Sequence, residues 1–227
     1  MVRVEGIGNL PMVVSGIGGS RGDETMRKIR LSDENEMVYE FLKMEICSSR
    51  YQAQIETVLD EMNLSRDVIV NGSLLSEQEN ILRIEMLARF RGYPDKELFE
   101  NFPKQIKWVW AEFEHGDMSK IRYINYSYWN ELSNDTSSPL EAAKTILSGK
   151  TIYDVPNDAA LKGAQLLKAG HKFPPLIFLT DENQQRYIIL EGHGRMTAYG
   201  LVPDLFQNVS VLLGICKSED LDKWNGE

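Results

Sequence analysis

One stretch of sequence decides the fold: Tyr187-Ile188-Ile189-Leu190-Glu191-Gly192-His193-Gly194-Arg195-Met196-Thr197-Ala198. Its first four residues are apolar and β-prone, which indicates a buried strand, and its last residues favour a helix. An acid, two glycines, a histidine and an arginine stand between the two. The stretch therefore predicts a strand that passes directly into a helix, with polar side chains gathered at the turn.

The chemistry of this turn favours an anion. The first N–H groups of a helix have no intrahelical partner, and the helix dipole adds positive charge there. Gly192 and Gly194 let the backbone approach a phosphate closely, and Arg195 is suited to bridge its oxygens. His193 is a hydrogen-bond donor or a proton carrier. Glu191 would hold Mg²⁺, accept a hydroxyl proton or orient Arg195.

A purely structural interpretation of the same residues is equally open. The glycines can simply shape the turn, and Arg195 can pair with Glu191. His193 can be a histidine whose hydrogen bonds are satisfied within the turn. The residue types alone do not decide between this interpretation and an anion site.

Regular elements are predicted on both sides of this stretch. Short apolar runs indicate strands over residues 176–179 and 209–213. The turn signal His115-Gly116-Asp117 lies between two β-prone runs, which predicts a hairpin over residues 107–126. Ser138-Pro139 and Asp158 are typical of helix starts. This order of elements predicts a small mixed sheet with flanking helices, in the α+β class.

The N-terminal part has a different character. Its first 22 residues are rich in glycine, but they contain neither GxGxxG nor the P-loop pattern. Residues 33–91 have helical periodicity, with Ser32, Ser49 and Ser76 as predicted caps. A seam at Pro103 divides the chain into a glycine-rich arm with a helical region, 1–103, and a second domain, 104–227.

Composition excludes several classes of protein. The 227 residues carry 25 basic and 34 acidic side chains, a net charge of −9. Nucleic-acid binding depends on basic surface, so this net negative charge disfavours a nucleic-acid-binding function. No apolar run approaches the roughly 20 residues of a membrane span, and no signal-peptide pattern is present. Two distant cysteines, Cys47 and Cys216, indicate reduced thiols in a cytoplasmic protein.

The pattern over residues 120–216 resembles the ParB/sulfiredoxin superfamily. It shares a helix, a proline pair before a strand, a hairpin, and then an acid-Gly-x-x-Arg-x-x-Ala signature. Sulfiredoxins have a cysteine in this turn, where this chain has His193. Partition proteins have a DNA-binding domain after the turn, for which the 32 residues following Arg195 are too few. The turn is most similar to the Asp-Gly-His-His-Arg of ParB-like nucleases and free-serine kinases, with Glu191 and Gly194 as departures.

The resemblance implies a nucleotide site with bound Mg²⁺. The nucleotide, ATP, ADP or CTP, would be held by Gly192, His193, Gly194, Arg195 and Thr197, with Glu191 as metal ligand. Glu191 and His193 would be catalytic together with an upstream carboxylate. The candidates for that carboxylate are Glu131, which we carry forward as the catalytic residue, Asp135, Asp154 and Asp158. The segment Trp129-Asn130-Glu131 is expected at the pocket wall, and His171 is a further loop residue that could face the site.

The expected function is a nucleotide-dependent phosphotransferase or phosphohydrolase acting on a small molecule. The alternative is a non-catalytic sensor of a nucleotide or another ligand, with a protein partner. A nuclease is the third hypothesis, which the net charge disfavours. A homodimer is compatible with all three.

Overall fold

A computed structural model describes residues 26–226, so the glycine-rich first 22 residues lie outside the described residues. The strands are β1 (Arg27–Leu31), β2 (Lys107–Phe113), β3 (Ile121–Arg122), β4 (Leu176–Asp181), β5 (Tyr187–Glu191) and β6 (Val209–Cys216). The α-helices are α1 (Glu34–Glu45), α2 (Gln52–Glu61), α3 (Asp67–Val70), α4 (Glu77–Arg91), α5 (Ser127–Leu132), α6 (Pro139–Leu147), α7 (Asp158–Lys168), α8 (His193–Gly200) and α9 (Ser218–Asn225). Short 3₁₀ helices cover Glu97–Phe99, His115–Lys120 and Pro203–Leu205.

The described strands form one mixed sheet in the order β1-β2-β6-β4-β5-β3. The β6–β4 and β5–β3 pairs are parallel, and the other pairs are antiparallel. The expectation of a mixed sheet with flanking helices is therefore confirmed. The strands predicted at 176–179, 187–190 and 209–213 are also confirmed, each slightly longer in the structure.

Helices cover both faces of this sheet. Alternate residues of a strand point to opposite faces, and β4 is apolar and buried on both. Ile177 and Leu179 pack into a core with α1, α2, α4 and α9, while Leu176 and Phe178 pack into a second core with α6, α7 and α8. The central strands are consequently buried on both sides, and the N-terminal helices form one of the two covering layers.

Helix ends follow local sequence signals, with shifts of a residue or two. Ser76 caps α4 as predicted, because its Oγ accepts the Glu79 N–H at 3.3 Å. Gly92 ends the same helix with φ 76°. At α1, however, Asp33 rather than Ser32 is the cap, and its Oδ1 accepts the Glu36 N–H at 2.9 Å. Tyr51 rather than Ser49 precedes α2.

The predicted hairpin over 107–126 is wrong. β2 pairs on its two sides with β1 and β6, so neither of its edges is open to β3. β3 instead pairs in parallel with β5 at the far edge of the sheet. The connection is the 3₁₀ helix at 115–120, whose capping box joins Glu114 and Asp117. That capping box favours a helical turn over a hairpin turn.

The seam at Pro103 remains a prediction, and several contacts cross it. β1, from the first part, pairs with β2 from the second. Trp224 Nε1 donates to the Leu98 carbonyl at 3.0 Å. Both cysteines are free thiols, with Cys47 exposed and Cys216 buried. Among the described helices, none has the length and apolar character needed to cross a membrane.

Candidate functional site

The turn between β5 and α8 depends on glycine at its first position. Gly192 has φ 102°, a left-handed conformation that side chains other than glycine adopt at a cost. A Cβ there would also meet Leu176 Cδ2 at 2.4 Å. Gly194 is different, because it is exposed and a Cβ would meet nothing within 4 Å. The turn is therefore tightly packed at Gly192 and open to solvent at Gly194.

The open side of the turn presents the N-terminus of α8. The first intrahelical bond runs from the Met196 N–H to the Gly192 carbonyl at 2.8 Å. The three preceding N–H groups, of residues 193–195, precede the first residue that can donate within the helix. With the helix dipole, they give this end of α8 a partial positive charge suited to an anion.

Arg195 is engaged by the protein itself. Its guanidinium donates to the Pro174 carbonyl at 2.8 Å and also to the Pro175 carbonyl. Its other terminal nitrogen pairs with Glu191. Of the alternatives that the sequence left open, pairing of Arg195 with Glu191 is the arrangement in the structure. Arg195 thus ties the segment before β4 to the end of β5.

Glu191 is a shielded carboxylate at the end of β5. Burial raises its pKa, while the Arg195 guanidinium and the Gly192 N–H stabilise its charged form. Its side chain retains only 15% exposure. Glu191 is therefore held in one position by charge-assisted contacts.

The ring of His193 packs beside two aromatic rings. Its ring is nearly parallel to that of Trp129, with centroids 5.2 Å apart. Tyr123 is also nearly parallel to Trp129, at 4.6 Å, and lies 6.1 Å from His193. Two rings on opposite faces of Trp129 would be farther apart than this, so Tyr123 and His193 share one face of the indole.

This environment keeps His193 neutral. Burial, and then the nearby positive charge of Arg91, lowers its pKa to about 3. Its Nε2 is buried and has no hydrogen-bond partner among the described residues. An unsatisfied buried nitrogen at a cavity wall is a ready contact for a ligand.

Thr197, predicted to bind the nucleotide, lies beneath the turn. It is buried, and its hydroxyl donates to the His193 carbonyl at 2.8 Å. Its oxygen is 2.7 Å from the Tyr123 hydroxyl, which is left as the donor of that bond. Thr197 does not line the cavity described below and supports the turn from the core side.

The turn opens into a cavity of about 870 Å³ between the N-terminal helical layer and the sheet. Its wall includes residues of α1, α4, α5, α8 and α9, and of the connection between α1 and α2. Chief among them are Glu45, Ser48, Arg50, Tyr51, Arg91, Asn125, Tyr126, Trp129, Leu190, Glu191, Gly192, His193, Gly194, Lys223 and Trp224. This volume lies within the usual range of ligand pockets.

Glu45 is a cavity residue that the sequence analysis missed. It is 5% exposed, and its Oε1 lies 3.6 Å from the Arg91 guanidinium. Burial, and then repulsion from Glu191, raises its pKa to about 7. A signal for it existed, because Glu45 follows Phe41 by four residues and so continues the apolar stripe of α1. A charged residue in an apolar stripe indicates a special environment.

The carboxylates proposed from the resemblance lie elsewhere. Glu131 is half exposed and pairs with Lys150 at 3.6 Å. Asp135, Asp154 and Asp158 are exposed, and neither they nor Glu131 line the cavity. His171 is exposed too and is not part of the wall. Of the segment 129–131, only Trp129 reaches the cavity.

A larger cavity of about 1150 Å³ lies nearby. Its wall consists of the end of β1, the start of α1 and the connection over 93–108, with parts of α9. The β5–α8 turn does not contribute to it, and no buried carboxylate lines it. The smaller cavity is therefore the candidate site, because the chemistry of the turn faces it.

No protein-family model, curated protein or solved structure compared with this chain matches it. The candidate site consequently rests on its own geometry.

Proposed function

We propose that residues 120–216 form a ParB/sulfiredoxin-like nucleotide-binding unit, and that the protein is a phosphotransferase or phosphohydrolase acting on a small molecule. One observation carries this proposal. The N-terminus of α8, open at Gly194, faces a cavity whose wall also contains two carboxylates, the buried Glu45 and the largely shielded Glu191. Positive backbone charge beside a proton-accepting carboxylate is the pairing that phosphoryl transfer uses.

A nucleotide suits this cavity better than a free phosphate does. Tyr126, Trp129 and Trp224 all line it, and bases stack on such rings. The volume of about 870 Å³ leaves room for a base and a sugar beside the phosphates. The turn would receive the phosphates, and the aromatic wall would receive the base.

Glu45 is better suited than Glu191 to accept a proton. Glu191 is fixed by Arg195, whereas the Glu45–Arg91 contact is loose at 3.6 Å. In the proposed reaction the acceptor hydroxyl, or water, attacks the terminal phosphorus, and its proton passes to the Glu45 carboxylate. The bond between that phosphorus and the bridging oxygen breaks, and the shortened nucleotide leaves with the electron pair.

Magnesium would enter with the nucleotide. Among residues 26–226, no cluster of three or more His, Cys, Asp or Glu side chains is arranged to hold a metal. Mg²⁺ is commonly bound through one or two carboxylates together with substrate phosphates, and Glu191 would be its ligand from the cavity wall. When bound, the ion would neutralise charge on the phosphates.

The substitution Gly194→Asp tests the anion site without disturbing the fold. Gly194 has space for a side chain, and an acidic residue in the first turn of a helix stabilises it. The same carboxylate would repel phosphate. Gly194→Asn has the same shape without the charge and is the matched control.

We expect ATP, ADP or CTP with Mg²⁺ to raise the melting temperature of the wild type and of Gly194→Asn. Gly194→Asp should fold at least as stably and show no shift. Equal shifts in the two variants would contradict binding at this turn. Absence of any shift with the wild type would refute a nucleotide site altogether.

Turnover separates the enzyme from a sensor. Phosphate or shortened nucleotide should accumulate with wild type, alone or with a hydroxylated acceptor, and should be lost in Gly194→Asp. Binding without product under every acceptor tried would favour the sensing alternative.

A further inference from the structure

Two arginines of the helical layer meet at one wall of the cavity. Arg50 lies in the connection between α1 and α2, and Arg91 is the last residue of α4. Each guanidinium carbon is 4.9 Å from the centre of the Tyr51 ring. Both arginines and Tyr51 line the cavity. Residues far apart in sequence thus bring two positive charges to one aromatic ring.

These two charges are poorly neutralised within the described part of the chain. Arg91 has a single carboxylate contact there, with Glu45 at 3.6 Å. Arg50 has no ion pair to a carboxylate of residues 26–226. Arg89 of the same layer, by contrast, pairs closely with Glu85 at 2.5 Å.

The carboxylates nearby do not balance them. Glu191 is taken by Arg195, and the buried Glu45 lies 3.6 Å from Arg91, beyond hydrogen-bond distance. The remaining acids of the wall, Glu97 and Glu100, are exposed, and the exposed Lys223 accompanies them. Two guanidinium groups without a close counterion favour a ligand that carries at least two negative charges.

We propose that Arg50 and Arg91, held against Tyr51, form the subsite for the outer phosphates of the bound nucleotide. This inference rests on the proposed function. The α8 N-terminus would hold one phosphate, and the two arginines would hold the next ones from the opposite layer. The helical layer would then supply charge to the site rather than cover it passively.

Arginine is the suitable residue for such a subsite. Its planar fork can donate two parallel hydrogen bonds to phosphate oxygens, and it stacks on aromatic rings. Contact with Tyr51 restricts the guanidinium groups before the ligand arrives, which lowers the entropic cost of binding. Pre-positioned donors of this kind recognise polyphosphate better than a single phosphate.

Calorimetric titration of the full chain with pyrophosphate, inorganic phosphate and the nucleotide tests the proposal. The variants are Arg50→Gln and Arg91→Gln, with Arg89→Gln as control because Arg89 lies on α4 outside the cavity wall. We expect each cavity variant to weaken pyrophosphate and nucleotide binding roughly 10- to 100-fold. Arg89→Gln should bind like the wild type, and inorganic phosphate should be affected less.

Several outcomes decide the matter. Unchanged pyrophosphate and nucleotide affinity in Arg50→Gln, while Gly194→Asp abolishes nucleotide binding, would overturn the arginine subsite and leave the proposed function standing. Loss of pyrophosphate binding in Arg89→Gln as well would also overturn it, since that pattern is a general charge effect. Arg50 is exposed, so its variant decides the question even where Arg91→Gln fails to fold.

Discussion

The substitution Glu45→Gln tests the electrostatics of the cavity directly. Glu45 is 5% exposed. Its carboxylate is repelled by Glu191 and attracted by three arginines, Arg91, Arg195 and Arg50. Its pKa rises from an ordinary 4.5 to about 7. Glutamine keeps the shape of the side chain and removes its charge.

The direction of the effect follows from proton binding. Below pH 4.5 the carboxyl is protonated in both the folded and the unfolded chain, so burial costs little. As pH rises from 4.5 to about 7, the unfolded chain loses its proton first, and the folded state loses stability. Above that range the full penalty applies, about 3 kcal/mol from the difference between the two pKa values.

Glu45→Gln should therefore be more stable than the wild type at pH 8 by up to about 3 kcal/mol. The attraction of Arg91 for the carboxylate opposes the rise in pKa, so this figure already includes it. For a chain of this size, the melting temperature would rise by roughly 6–12 °C at most. Near pH 4.5 the difference between variant and wild type should have disappeared.

Urea denaturation at pH 5, 6.5 and 8 measures this difference. Glu40→Gln is the control, because Glu40 lies on the same helix outside the cavity wall and pairs with Lys43 at 3.0 Å. A Glu45→Gln variant destabilised at pH 8 as much as at pH 5 would refute the reasoning. It would mean that the attraction of the arginines offsets the cost of burying the carboxylate, so that the pKa of Glu45 is not raised.

Three further substitutions test the turn. His193→Gln should reduce the loss of folding stability in acid. Burial lowers the pKa of His193 from 6.5 to about 3, so the unfolded chain gains a proton first as the pH falls below 6.5. Acid titration of the variant measures how far the dependence of stability on pH is reduced. Gly192→Ala should destabilise by more than Gly170→Ala in urea titrations, because both have positive φ but only Gly192 would meet a neighbouring side chain; equal losses would contradict the packing argument. Thr197→Val should lower the free energy of unfolding by about 1–3 kcal/mol, because it leaves the Tyr123 hydroxyl unpaired. Adding Tyr123→Phe should recover part of that loss in denaturation experiments. A double variant no more stable than Thr197→Val would show that the bond is unimportant.

Local patterns predicted much of the sheet. The runs at 176–179 and 187–190 are apolar on both faces because both faces are covered, and such runs stand out in a sequence. The turn at 191–195 could equally be predicted, because two glycines and a charged pair between a strand and a helix are typical of a tight turn. The Ser76 cap and the Gly92 stop are likewise local signals.

The parts that were missed depend on distant partners. The strand at 107–113 has β-prone residues, yet its neighbours β1 and β6 lie about 80 and 100 residues away, so adjacency in sequence misled the hairpin prediction. β1 itself contains three basic residues, and all five of its residues are exposed, which is atypical of a strand. The position of Glu45 in the apolar stripe of α1 indicates a shielded residue, but its place beside the turn depends on how α1 packs on the sheet.

The dependence of the site on residues distant in sequence also affects how it should be tested. Arg195 is the obvious residue to substitute from the sequence, yet it holds the Pro174 and Pro175 carbonyls and Glu191 together. Its removal would leave Glu191 buried without a counterion and would loosen the segment before β4, so lost binding would not identify a phosphate contact. Gly194 and Arg50 are exposed at the cavity wall and make few contacts that support the fold. Substitutions there change the charge that a ligand meets while the turn keeps its shape, and they therefore separate recognition from support.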